Sequence, residues 1–171
     1  MTKRLKSLVL SALLLVGVTT GAMADGFAAP QGEVLLTITG SIAQTNSGAE
    51  LLLDQAQLAA LPQTSFTTST TWTSGTPMFQ GVLLSDLVAA IGATGGTVTL
   101  TAANDYAVSV PMSDIGKDAP LLAYLMNGEP MSLRDKGPVW MVYPYDADEK
   151  YRTGETFARS IWQLVRIDFA P

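Results

Sequence analysis

Chemistry in this chain has to come from carboxylates, phenols, hydroxyls, lysines and guanidinium groups, because its 171 residues include neither cysteine nor histidine. No thiolate can attack a substrate or hold a soft metal, and no imidazole can move protons near neutral pH. Ser-His-Asp and Cys-His nucleophilic sites are excluded, together with the usual zinc and haem ligand sets. The densest run of the remaining groups is Pro144-Tyr145-Asp146-Ala147-Asp148-Glu149-Lys150-Tyr151-Arg152, directly after an apolar strand. Loops of that kind on a rigid sheet commonly carry recognition. Tyr143, Tyr145 and Arg152 could line a pocket mouth, with Arg152 or Arg159 donating to a ligand carbonyl or hydroxyl. The same residues also suit a solvated acidic loop with one stabilising arginine. Asp146/Asp148 and Asp114/Asp118 invite comparison with calcium sites and glycosidases, but neither pair has the spacing of a known metal loop, and both fit surface charge. The balance leans away from catalysis.

The amino terminus carries an address. Lys3, Arg4 and Lys6 precede the apolar run Leu8 to Val18, and Ala22-Met23-Ala24 offers small residues at the two positions a signal peptidase reads. This pattern predicts a secretory signal over residues 1–24, cleaved before Asp25. An uncleaved anchor is the alternative, but the apolar run falls well short of the ~20 residues a spanning helix needs. The expected product is one exported domain, residues 25–171, soluble and without membrane insertion, with a periplasmic destination. Its stability must come from a core, since no disulfide can form. Three of the ten basic residues leave with the signal, so seven face fifteen acidic ones, a net charge of −8. Such a surface repels phosphate backbones and argues against nucleic acid or anionic lipid as partners.

The elements that must position these residues are short. Glu33 to Gly40 alternates, with Val34, Leu36 and Ile38 on one face of a strand. Asp54 can cap a brief helix with Gln57 at its third position, and Pro62 stops it. The β-branched stretch Thr64 to Thr73 should be extended. VLLSDLVAAIG reads as an apolar-faced helix closed by Gly92. Thr97 to Ala103 and Tyr106 to Pro111 form a hairpin about Asn104-Asp105, and Asn127-Gly128 marks another tight turn. Gly137 to Pro144 and Trp162 to Phe169 complete the strand set. The order of elements predicts an α+β fold with a mostly β, mixed-sheet, barrel-like core and short helices, not a doubly wound parallel sheet.

In this order the segments resemble the molybdopterin-binding domain of the sulfite oxidase type. The resemblance spans nearly all of 25–171 and is carried by LLLDQAQLAALPQ before a Thr-rich strand, FQGVLLSDLVAAIGA, AANDYAVSVP, LLAYLMNGEPM, GPVWMVYP and SIWQLVRIDF. In the enzymes of that family a cysteine at the end of the strand equivalent to FTTSTTW binds molybdenum. Here the neighbourhood reads Thr70-Thr71-Trp72. A basic residue beside the final tryptophan helps hold the cofactor phosphate in the enzymes; here Ile161 precedes Trp162, with Arg159 nearby. Molybdenum is therefore not expected, and no metal ligand or catalytic residue is assigned.

What the resemblance leaves is a pocket for a flat, hydrogen-bonding bicycle, a reduced, metal-free pterin. Such a ring wants an aromatic wall, a carboxylate for its amino edge and donors for its carbonyl. Trp72 is the candidate wall, or else it simply fills the space the metal would occupy. Asp105 and Tyr106 sit at a hairpin turn that faces the cofactor in the enzymes, although turn chemistry alone accounts for Asn104-Asp105. Trp140 and Trp162 read as core. The chain is similar to short, cysteine-free periplasmic regulators of this fold. That implies a pterin-dependent partner: the periplasmic domain of an inner-membrane signalling protein that makes or degrades cyclic di-GMP. A molybdopterin-dependent oxidoreductase subunit without the usual cysteine, and a protein-binding subunit with a collapsed pocket, are the alternatives.

Overall fold

The computed structural model describes residues 26–171, and the signal predicted for residues 1–24 lies outside them. The alternating segment forms β1, Val34–Gly40, with Leu36 and Ile38 fully buried. Val34 stands on the same face by sequence but is left exposed, because the ladder to the next strand shifts between Val34 and Leu36. That next strand, β2 (Leu51–Asp54), delivers the chain into α1 (Gln55–Ala60). The expected capping box is present: Asp54 accepts from the Gln57 backbone N–H, and Gln57 returns a side-chain oxygen to the Asp54 N–H. Asp54 also takes the Gln31 and Gly32 N–H groups, and these backbone donors hold its carboxyl below the usual range.

Strand β3 covers only Thr64–Thr67, so the extended stretch predicted to run to Thr73 ends early and becomes a loop. Strand β4 (Met78–Leu83) then runs directly into α2 (Leu84–Ile91). The helix starts two residues later than VLLSDLVAAIG implies, because Val82 and Leu83 are still paired with a neighbouring strand. Gly92 ends it in the left-handed conformation that glycine adopts without strain. The hairpin of β5 (Thr97–Ala102) and β6 (Ala107–Pro111) forms as expected. Strand β7 (Leu121–Met126) is the centre of the second sheet. It turns at Asn127-Gly128, both at positive φ, into β8 (Glu129–Pro130). Strand β9 is Trp140–Val142, shorter than the predicted Gly137–Pro144. Helix α3 (Gly154–Arg159) and β10 (Leu164–Ala170) complete the chain.

These strands make two five-stranded sheets. The first has the order β2-β1-β10-β5-β6, with β1 and β10 parallel and the other pairs antiparallel. The second runs β3-β4-β7-β8, with β9 also on β7. The α+β, mostly β prediction holds, but the core is not barrel-like: the sheets stay open and face each other. Leu36, Ile38, Leu100, Ile167 and Phe169 of the first sheet meet Val82, Leu122, Met141 and α2 of the second layer in one cluster. The opposite face of the second sheet carries a smaller cluster of Phe79, Leu83, Leu121, Ala123, Trp140 and Val142. A Cβ at Gly81 would collide with the Leu122 carbonyl oxygen across the β4–β7 ladder. Gly81→Ala should therefore destabilise the protein by about 1–3 kcal/mol in chemical denaturation, and an unchanged midpoint would contradict this packing.

Candidate functional site

The loop between β3 and β4 carries the central side chain, Trp72. Thr68 and Ser69 are clasped to Asp146, which lies after β9. The Ser69 N–H and hydroxyl donate to the two Asp146 carboxylate oxygens at 2.5 and 2.7 Å, and the Asp146 N–H donates to the Thr68 hydroxyl at 3.1 Å. These donors hold the Asp146 carboxyl below the usual carboxylate range, with the Ser69 N–H the largest cause. Further along, the Trp72 N–H donates to the Thr70 hydroxyl, which also bonds Thr73. The indole is thereby delivered against four other rings. Its centroid lies 5.9 Å from Trp140, 6.4 Å from Tyr145, 5.9 Å from Phe157 and 5.6 Å from Trp162, all edge-on. Trp72 touches both hydrophobic clusters and is itself only partly buried.

Its remaining surface lines a cleft of about 360 Å³. Phe157, Ala158, Ser160, Ile161 and Trp162, on and just after α3, form one side, and Ala102, Asn104 and Tyr106 of the β5–β6 hairpin form another. Helix α3 forms here because Thr153 caps it, its hydroxyl accepting from the Thr156 N–H. Beneath the cleft Tyr145 is 2% exposed and stacks on Phe157 at 5.3 Å. The Ser160 hydroxyl donates to the Thr156 carbonyl at 2.7 Å, so at the 2.5 Å contact between Tyr145 and Ser160 the phenol is the donor. Burial pushes the Tyr145 phenol up to about 12. Trp72 also borders a second groove, of about 370 Å³, with Asn127, Arg134 and Lys136. The Lys136 ammonium lies 4.8 Å from the Trp162 ring centre and 5.4 Å from Trp140.

The sequence-derived candidates divide into three groups. Trp72 and Tyr106 line the cleft directly, and Tyr145 supports it from below without reaching it. Asp105 sits at the exposed hairpin tip with φ 66°, and its neighbour Asn104 lines the cleft in its place. The Asn104 side-chain oxygen Oδ1 already accepts from the Tyr106 N–H at 3.1 Å, an ordinary Asx turn. Tyr143 and Arg159 belong to a different pocket, of about 430 Å³, with Asp114 and Glu155. Arg159 is committed there to Asp114 at 2.9 Å and Glu155 at 2.6 Å. The Tyr143 phenol is likewise pushed up to about 12 by burial. Arg152 is exposed and lines neither pocket. Trp140 is core as read, fully buried and edge-on to Phe79 at 5.3 Å. Trp162, by contrast, precedes β10 and lines the cleft. Asn104, Phe157 and Ser160 carry no motif; the Thr153 cap was the only local signal for the helix that brings two of them in.

Chemically, the cleft has two indoles and a phenyl ring for walls, and only an amide, a phenol and a serine as polar groups. Its volume suits one small ligand. Among the described residues no carboxylate lines it, and the Asn104 amide oxygen retains a second lone pair for a donor.

Residues 36–147 match the family model described as the oxidoreductase molybdopterin binding domain, and the chain belongs to that family. None of the curated proteins compared with the chain matches it. The matched span includes Trp72, Asn104 and Tyr106, while Phe157, Ser160 and Trp162 lie beyond its end. The family's molybdopterin has two parts, and this donor set meets them differently. The chain has no thiol to offer a metal, and an indole packed among four rings stands in the segment where the thiol is expected. The cleft itself offers aromatic walls and a polar turn, groups suited to a flat ring system.

The buried phenols set a pH limit on the whole site. Raised phenol values in the folded protein mean that their contribution to stability is complete below about pH 10. It is lost as pH rises through about 12. Urea midpoints measured from pH 8 upward should be flat to about 10 and then fall steeply. The Tyr145→Phe variant should fall less steeply over that window, and an equally steep fall would contradict the assignment.

Proposed function

We propose that the protein binds a reduced pterin, without metal, in the cleft beside Trp72 and works as a non-catalytic, exported regulator. The observation that carries this reading is the Trp72 indole: it stands where the family's metal ligand is expected and turns its free surface toward a mostly apolar cleft of about 360 Å³. Aromatic stacking on that wall adds ~0.5–1.5 kcal/mol beyond burial, while the Asn104 amide and Tyr106 phenol give the ring's polar edge its partners. Among the described residues lining the cleft there is no carboxylate, lysine or arginine to act as general acid or base on a ligand.

The partner in this reading is the periplasmic domain of an inner-membrane protein that makes or degrades cyclic di-GMP. Its support is the likeness of this chain to exported, cysteine-free regulators of the same fold, together with the export pattern at the amino terminus. No helix of the described residues is long and apolar enough to cross a membrane. Regulation would be a population shift: only a difference in receptor affinity between the loaded and empty forms can move the enzyme's equilibrium.

Titration of the protein of residues 25–171 with a tetrahydropterin under anaerobic conditions, followed by quenching of tryptophan fluorescence, should show saturable binding. Trp72→Ala should weaken it by at least tenfold. That variant should lose less than the ~3–5 kcal/mol expected for emptying a fully buried tryptophan site. Wild-type protein that takes up no pterin would overturn the proposal, as would an oxidised or reduced pterin that binds Trp72→Ala equally well.

A further inference from the structure

Asp146 is half of a carboxylate pair that sequence reasoning treats as surface charge, and it lines none of the clefts around Trp72. Its contacts are nevertheless those of a fastener. Both carboxylate oxygens and the backbone N–H are engaged by Thr68 and Ser69, residues 77 and 78 positions away in the chain. Three hydrogen bonds thus fix the start of the loop that carries Trp72, while the Thr68 N–H to Pro77 carbonyl bond, 3.3 Å, ties its two ends together. Between these ends the Thr70–Thr73 and Thr70–Trp72 hydrogen bonds shape the backbone, and the Trp72 ring packs on its aromatic neighbours, so the clasp at the loop's start decides the angle at which the ring meets them. Asp146 is exposed, so its three bonds do not serve to satisfy a buried carboxylate. Just before Asp146, Tyr145 supplies the ring on which Phe157 stacks and against which Trp72 packs edge-on. One short segment therefore sets both the position of the Trp72 loop and the floor beneath the ring.

We infer that Asp146 is the positioning residue of the Trp72 wall: its carboxylate fixes the loop through Ser69 and thereby sets the width of the cleft. The inference rests on the pterin reading only for its effect on ligand binding; its effect on the indole does not. Removing the carboxylate frees the loop start, and Trp72 loses its fixed angle to Trp162, Phe157 and Trp140. Coupled indoles at such distances give a near-UV circular dichroism signal that depends on their mutual angle, so the geometry has a spectroscopic readout independent of any ligand.

The test compares wild type, Asp146→Ala, Asp146→Asn and Ser69→Ala by near-UV circular dichroism and by tetrahydropterin titration. Asp146→Ala should change the tryptophan bands and weaken pterin binding about tenfold, with little change in far-UV signal. Asp146→Asn and Ser69→Ala, which each leave part of the clasp, should fall between it and wild type. The effects of Asp146→Ala and Ser69→Ala should not add in the double variant, because both break the same bond. Wild-type tryptophan bands in Asp146→Ala would overturn the inference whatever the titration shows. Changed bands with no pterin binding by any form, wild type included, would sustain the clasp and refute the pterin reading instead. If Asp146→Ala does not fold, the Asn and Ser69 variants carry the same comparison.

Discussion

The organisation of this protein turns on where one indole is held. Trp72 makes edge contacts with Trp140, Tyr145, Phe157 and Trp162, side chains drawn from the second sheet, the acidic loop, α3 and the entry to β10. Each such pair is worth on the order of 0.5–1.5 kcal/mol beyond burial, and contacts that share one ring do not add. They hold the indole in place without making it a core residue, although Trp72 belongs to no strand or helix. The ring joins the large cluster between the sheets to the smaller cluster on the outer face of the second sheet. It also remains partly open, and the side not packed on protein is the wall of a cleft. Core packing and the lining of the cleft are therefore two faces of a single side chain.

A tryptophan in the metal-ligand region could be filler or wall, and the geometry makes it both: four ring contacts on one side and free space on the other. The cost is specificity of another kind. Among the described residues no carboxylate lines the cleft, so under the proposed function discrimination among flat ligands would come from shape and from the Asn104 and Tyr106 groups. Polar contacts in so apolar a setting weigh heavily, since a buried group left unpaired costs more than a made bond contributes.

Legibility followed the range of the physics. The Asp54–Gln57 capping box, the Gly92 stop, the Asn127-Gly128 turn and the β5–β6 hairpin were all readable, because each is decided within a few residues. Strand β7 was not, since it is buried on both faces over Leu121–Tyr124 and shows no alternation. Helix α3 was missed because its six residues are mostly polar. With the helix unread, the sequence could not show that Arg159 faces away from the Trp72 cleft. On the helix, Glu155 and Arg159 share one side and pair with each other, facing the pocket that Tyr143 borders, while Phe157 and Ala158 face the cleft. Family resemblance supplied the fold. It could not show that Ser69 reaches Asp146, or that Trp162 leaves its strand to line the same space as Trp72, because long-range contacts of that kind carry no local signature.

The most direct check is the composition of protein purified from its native host under reducing conditions, with released small molecules identified by mass spectrometry and metal counted per chain. The account predicts a near-stoichiometric pterin with molybdenum far below one atom per molecule. Stoichiometric molybdenum, or fully native protein that releases no heterocycle and has none to exchange, would contradict it.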